Sequence, residues 1–149
     1  MTSHRWIRFD DLTARELYEL LKLRQDVFII EQACIYPELD DIDQDSTHLL
    51  VRDDKGALVA CLRVVAPGAR YEEPSIGRLV VRKDARGRGL ARELMTVAIA
   101  KCRELYPSRP IRIQAQRYLE KFYASLGFAP IGQPYDEAGI MHIDMVLAH

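Results

Sequence analysis

Six residues in mid-chain, Arg86-Gly87-Arg88-Gly89-Leu90-Ala91, have the composition of an anion-binding turn. They follow the apolar run Ile76-Gly77-Arg78-Leu79-Val80-Val81 and precede a stretch with helical periodicity. The first turn of a helix carries main-chain N–H groups without intrahelical acceptors, and the helix dipole adds to their pull on an anion. Gly87 and Gly89 lack a Cβ, so a phosphate can approach the main chain closely. Arg86, Arg88 and, just upstream, Lys83 can add charge-assisted contacts. Two familiar phosphate loops are ruled out. The string G-x-x-x-x-G-K-[ST] is absent, and a G-x-G-x-x-G fingerprint needs glycine where Arg92 stands.

Other chemistries find less support. The four histidines are scattered without metal-ligand spacing, so no metal is expected. The calcium pattern D-x-D-x-D-G-x5-E is absent. No Ser or Cys nucleophile constellation is visible. The acidic run Glu38, Asp40, Asp41, Asp43 and Asp45 either steers a cationic acceptor or is ordinary loop solvation, and the letters leave both open.

The elements that must position these groups follow from periodicity. Residues 4–9 alternate as a first strand. Thr13 with Glu16 forms a capping box, and Leu17, Leu20, Leu21, Arg24, Val27 and Phe28 then repeat at helical spacing to about Ile30. Arg24 falls on the inner face, where pairing with Glu31 or an acidic loop residue is expected. Residues 31–46 read as a long loop. Strands follow at 47–52 and 57–66 around an Asp53–Gly56 hairpin turn, and at 75–82. Leu90, Leu94, Val97, Ala98, Cys102 and Leu105 mark a helix ending before Pro107. A strand at 111–115, a helix at 118–126 closed by Gly127, and strands at 128–131 and 140–147 complete the chain.

The order β-α-ββ-β-α-β-α-β-β predicts one α/β domain spanning residues 1–149. Its sheet is single, mixed and mostly antiparallel, with about seven strands and helices on its faces. Twenty-one basic and 22 acidic residues leave a formal charge of -1, so neither nucleic acid nor a membrane is indicated as partner. No secretory leader and no 18-residue apolar run is apparent. Three widely spaced cysteines, Cys34, Cys61 and Cys102, suit reduced thiols, and a cytoplasmic location is expected.

Two segments carry a family resemblance. Arg86, Gly89 and Ala91 match the Arg/Gln-x-x-Gly-x-Gly/Ala loop of GNAT acyltransferases, and Phe122-Tyr123-Ala124-Ser125-Leu126-Gly127-Phe128 resembles that family's next motif. Leu23 to Gln32, Trp6, Tyr36 to Asp40 and Gly139 to Ile143 resemble its ElaA-type branch. The resemblance implies acetyl-CoA as cosubstrate. Residues Arg86, Gly87, Arg88, Gly89, Leu90 and Ala91 would hold the pyrophosphate. Leu79, Val80 and Val81 would line the pantetheine arm, with a main-chain N–H at a strand bulge holding the thioester carbonyl. Gln116, standing where many relatives have Asn, would lie near the cofactor. Tyr123 would sit beside the sulfur as general acid.

The implied reaction is N-acetylation of a primary amine on a small molecule or peptide, by direct attack in a ternary complex. An alkyl ammonium, with pKa ~10.4, must first lose a proton. Glu31 is the leading candidate base, His142 the second and His48 the third. Two alternatives remain: an acyl-homoserine-lactone-synthase-like acyltransferase, resembled in Arg24 to Phe28, and a non-catalytic acetyl-CoA-binding module. Nothing in the letters separates monomer from homodimer.

Overall fold

A computed structural model of the protein describes residues 2–34 and 36–149. Met1, in the stretch read for a leader, and Ile35, inside the expected loop, lie outside the described residues. The strands are β1 (Ser3–Arg8), β2 (Ser46–Arg52), β3 (Leu58–Val65), β4 (Ser75–Val81), β5 (Ile111–Gln116), β6 (Ala129–Glu137) and β7 (Ile140–Leu147). The helices are α1 (Ala14–Arg24), α2 (Leu90–Leu105) and α3 (Glu120–Ala124). The strands form one sheet in the order β1-β2-β3-β4-β5-β7-β6. Every neighbouring pair is antiparallel except β4 and β5, which run parallel.

Alternation along the central strands builds a core on each face of the sheet. Leu50, Cys61 and Val80 pack with Leu20, Leu23 and Val27 of the first helical segment. Their neighbours Leu49, Leu62 and Val81 turn the other way, onto Leu94, Met95, Ala98 and Cys102 of α2. The capping box forms as expected: Glu16 N–H donates to Thr13 Oγ1, and Thr13 N–H donates to Glu16 Oε1. A cap of this kind stabilises a helix by about 1 kcal/mol.

Three elements differ from expectation. The first helix continues to Glu31, but residues Gln25–Glu31 form a wider π-helical segment. Its apolar spacing carries no mark of that change. The third helix is short, with a 3-10 turn at Arg117–Leu119 before it. Strand β6 runs on to Glu137, beyond the expected stop at 131. It is an edge strand with a register shift between Ile131 and Tyr135, and Gly132 and Pro134 in that interval disguise it as a loop.

The acidic loop does not face outward as a unit. Asp43 accepts from Arg24 at 2.7 Å and from Arg63 at 2.9 Å. Asp40 takes both Nη groups of Arg63, and Glu38 accepts from Arg24 Nε at 2.6 Å. Asp41 and Asp45 stay exposed. The steering role open to this loop therefore falls away for Glu38, Asp40 and Asp43, whose charge is met inside. Burial pushes the Asp40 carboxyl up, but the Arg63 guanidinium outweighs it and holds the group at about 2. Asp43 is likewise held below the usual carboxylate range, burial being overcome by Arg24 and Arg63.

Candidate active site

Strands β4 and β5 are joined at one register pair, Ser75 with Arg112. Beyond it they separate, and a cleft of about 530 Å³ opens between them. Arg82 N–H donates to Val59 O on β3. The alternation of an extended strand then turns the main-chain groups of Leu79 and Val81 to the opposite edge, facing the cleft. This strip of sheet edge is available to an extended ligand.

The strip leads to the start of α2. Gly87 and Gly89 have φ of +83° and +75°, a region that L side chains rarely adopt, and the space where a Cβ would lie is open. Gly89 is the N-cap of α2, so it offers no side chain to compete for the first-turn N–H groups. Arg86, Gly87, Gly89, Leu90 and Ala91 line the cleft, as do Leu79, Val80 and Val81. Arg88 is exposed and lies outside the lining.

Arg86 is turned back over the strand end. Its Nε donates to Val81 O at 2.8 Å, and its two Nη groups donate to Glu31 at 2.5 and 2.9 Å. The hydrogen bonds from Arg86 hold the Glu31 carboxyl below its ordinary range. Beside it, Gln32 Oε1 accepts from Gln116 Nε2 at the end of β5. The end of the π-helical segment is thus tied to both walls of the cleft.

Tyr123 and His142 also line it. Tyr123 is half-buried, edge-on to Phe122 and Phe128, and burial pushes its phenol up to about 12, so it keeps its proton at neutral pH. His142 pairs with Gln116 across β7 and β5, so the two side chains share a face. Its Nδ1 lies 2.8 Å from Ile140 O. A carbonyl only accepts, so Nδ1 carries the hydrogen, and in the neutral ring the lone pair falls on Nε2. The Tyr135 ring stacks beside it at 6.2 Å. His48, by contrast, is fully buried against Asp43 O and is not among the lining residues.

Sequence reasoning missed Gln32 and Arg78 here. Arg78 carried a signal: a charged residue after a glycine inside an apolar strand marks a bulge. The register shift opposite Leu62 and a φ of +50° at Arg78 bear this out.

The model of the acetyltransferase (GNAT) domain matches residues 14–149, and the chain belongs to this family. A UPF0039 protein of Synechocystis is 43% identical over 141 residues, covering 95% of this chain and 92% of that one. ElaA of Escherichia coli is 36% identical over 142 residues, covering 93% and 92%. Its crystal structure superposes with a TM-score of 0.91 over 99% of both chains, at 34% identity. An acyl-CoA N-acyltransferase from Pseudomonas aeruginosa gives 0.94 at 37% identity, over 99% of this chain and all of the other. These similarities put the chain in the ElaA-like branch of the GNAT acyltransferases. The family uses an acyl-CoA cosubstrate, and the exposed edge of β4 and the glycine-capped start of α2 suit its pantetheine and pyrophosphate.

Proposed function

We propose that the protein transfers an acetyl group from acetyl-CoA to a primary amine of a small molecule or peptide, in a ternary complex. The observation that carries this reading is the splay of β4 from β5. It leaves a stretch of β4 without a partner strand, leading from Tyr123 and His142 to the first turn of α2. Such an edge takes an extended amide-bearing arm as a further strand.

Bound acetyl-CoA supplies an activated thioester; the chain's own residues do the rest. His142 Nε2 accepts a proton from the acceptor amine. The nitrogen then bonds to the acyl carbon as the carbon–sulfur bond breaks. Tyr123 O–H donates to the departing sulfur, and its proton is replaced from the amine. One proton ends on sulfur and one on solvent. His142 takes the base role ahead of Glu31 because its lone pair is free, whereas Arg86 engages both Glu31 oxygens.

The free thiols of Cys34, Cys61 and Cys102 fit a reducing cytoplasm as the place of action. The test is thiol release from acetyl-CoA in the presence of polyamines, amino sugars, amino acids and peptides, beside calorimetry of coenzyme A. Amine-dependent release supports the reading. Tight coenzyme binding with no release for any acceptor or acyl donor would favour a binding module.

A further inference from the structure

Arg78 sits at the β4 bulge, lines the cleft and has the strained backbone of a non-glycine residue at φ +50°. Strain of this kind persists where the surroundings over-determine it, and it collects at functional sites. Its guanidinium contacts two rings, 5.1 Å from the Phe28 centroid and 5.6 Å from that of Tyr36. Contact with two aromatic rings holds the cation in place and leaves its N–H edge as the way to bind anything.

That edge has no hydrogen-bond partner among the described residues, and buried Nε is itself unmatched. Glu38 Oε2 stands 3.2 Å from Nε as counter-charge, but its short bond goes to Arg24 at 2.6 Å. The nearby Arg63, Asp40 and Asp43 are engaged with one another. Arg24 and Arg63, which are more deeply buried, are each held by two carboxylates. Arg78 differs in keeping its donor fork beside the cleft; such a fork matches a carboxylate or a phosphate, and the acyl-transfer reading already seats the coenzyme's phosphates at the start of α2, which leaves a carboxylate.

We propose that Arg78 binds a carboxylate of the acceptor, so that the amines acylated here are amino acids or other amines with a carboxylate beside the nitrogen. This rests on the acyl-transfer reading above and narrows it.

The test compares each common L-amino acid with its α-amide as acceptor, with acetyl-CoA as donor. The amide's amine is less basic and intrinsically readier to react near neutral pH, so a preference for the acid must come from binding. For the amino acid that reacts best, the expected kcat/KM ratio of acid over amide is roughly 10- to 100-fold. In Arg78→Gln that ratio collapses towards one, and Arg78→Lys keeps part of it. Thermal melting shows that each variant is folded. Calorimetry of the same pairs on coenzyme-saturated protein reads the preference without turnover. Amides that react or bind as well as their acids overturn the role of Arg78 and leave acyl transfer standing. Absence of binding and turnover for every acid also overturns it. If acetyl-CoA itself fails to bind, the acyl-transfer reading falls too.

Discussion

Arg86 and Glu31 meet in a two-fold hydrogen-bonded pair that links the cofactor-type loop to the end of the first helical segment. With Nε on Val81 O, every nitrogen of that guanidinium is engaged within the chain. On the proposed reading, Glu31 and an incoming pyrophosphate would compete for one cation.

The competition has a measurable sign. Glu31→Gln frees Arg86 and is expected to tighten coenzyme A binding roughly two- to fivefold. Arg86→Ala is expected to weaken it, since a charge-assisted contact is lost. Isothermal titration at two salt concentrations reads both, and the gain from Glu31→Gln should shrink as salt rises. Weaker binding in Glu31→Gln would mean that the carboxylate positions the arginine rather than competing for it.

Tyr123→Phe keeps the ring contacts to Phe122 and Phe128 and removes only the hydroxyl. Turnover should fall by about 10²-fold, the usual scale for general acid–base help, with coenzyme affinity unchanged. A steady-state assay with a matched calorimetric titration separates these two quantities. Unaltered turnover assigns the tyrosine to packing.

His142→Gln is expected to cost turnover more than Glu31→Gln does, by about 10²-fold or more. The comparison decides between the two bases, because the glutamate is committed to Arg86 and the imidazole Nε2 is not. The reverse order of losses would return the role to Glu31.

Acid should unfold the protein through its internal ion pairs. Asp40 is held at about 2 in the fold against 3.8 for the free group. Its stabilisation is present above the unfolded value and is lost as pH falls from about 4 towards 2, an effect of about 2 kcal/mol. Asp43 acts with the same sign. Asp43→Asn strands Arg24 and Arg63 with a neutral partner and should cost about 3–5 kcal/mol in urea unfolding at pH 7. Little change in either measurement would mean that water, not the carboxylates, satisfies these arginines.

Much of this was legible in the letters because local rules and tertiary packing agree. Thr13 and Glu16 announce the start of α1, Gly89 and the Leu90 to Leu105 periodicity announce α2, and alternation in β2 and β3 shows through. What stayed hidden depends on contacts between distant residues. Arg86 and Glu31 are 55 positions apart, and Gln32 and Gln116 are 84 apart. The burial of Glu38, Asp40 and Asp43 is set by arginines on α1, β3 and β4. An acidic run on paper looks the same whether it faces water or guanidinium groups. The widening at Gln25–Glu31 leaves the apolar spacing nearly intact, and the extended β6 hides behind edge-strand letters.

The single Ser75–Arg112 pairing gives the sheet a seam, with β1–β4 on one side and β5–β7 on the other. A guest lying along that seam becomes scaffold as well as reactant, lending its amides to a ladder the polypeptide leaves incomplete. Loading should thus slow amide exchange at Leu79 and Val81 and couple the melting of the two halves. Surrendering the guest after each cycle would reopen the zipper, so release and loosening are the same event.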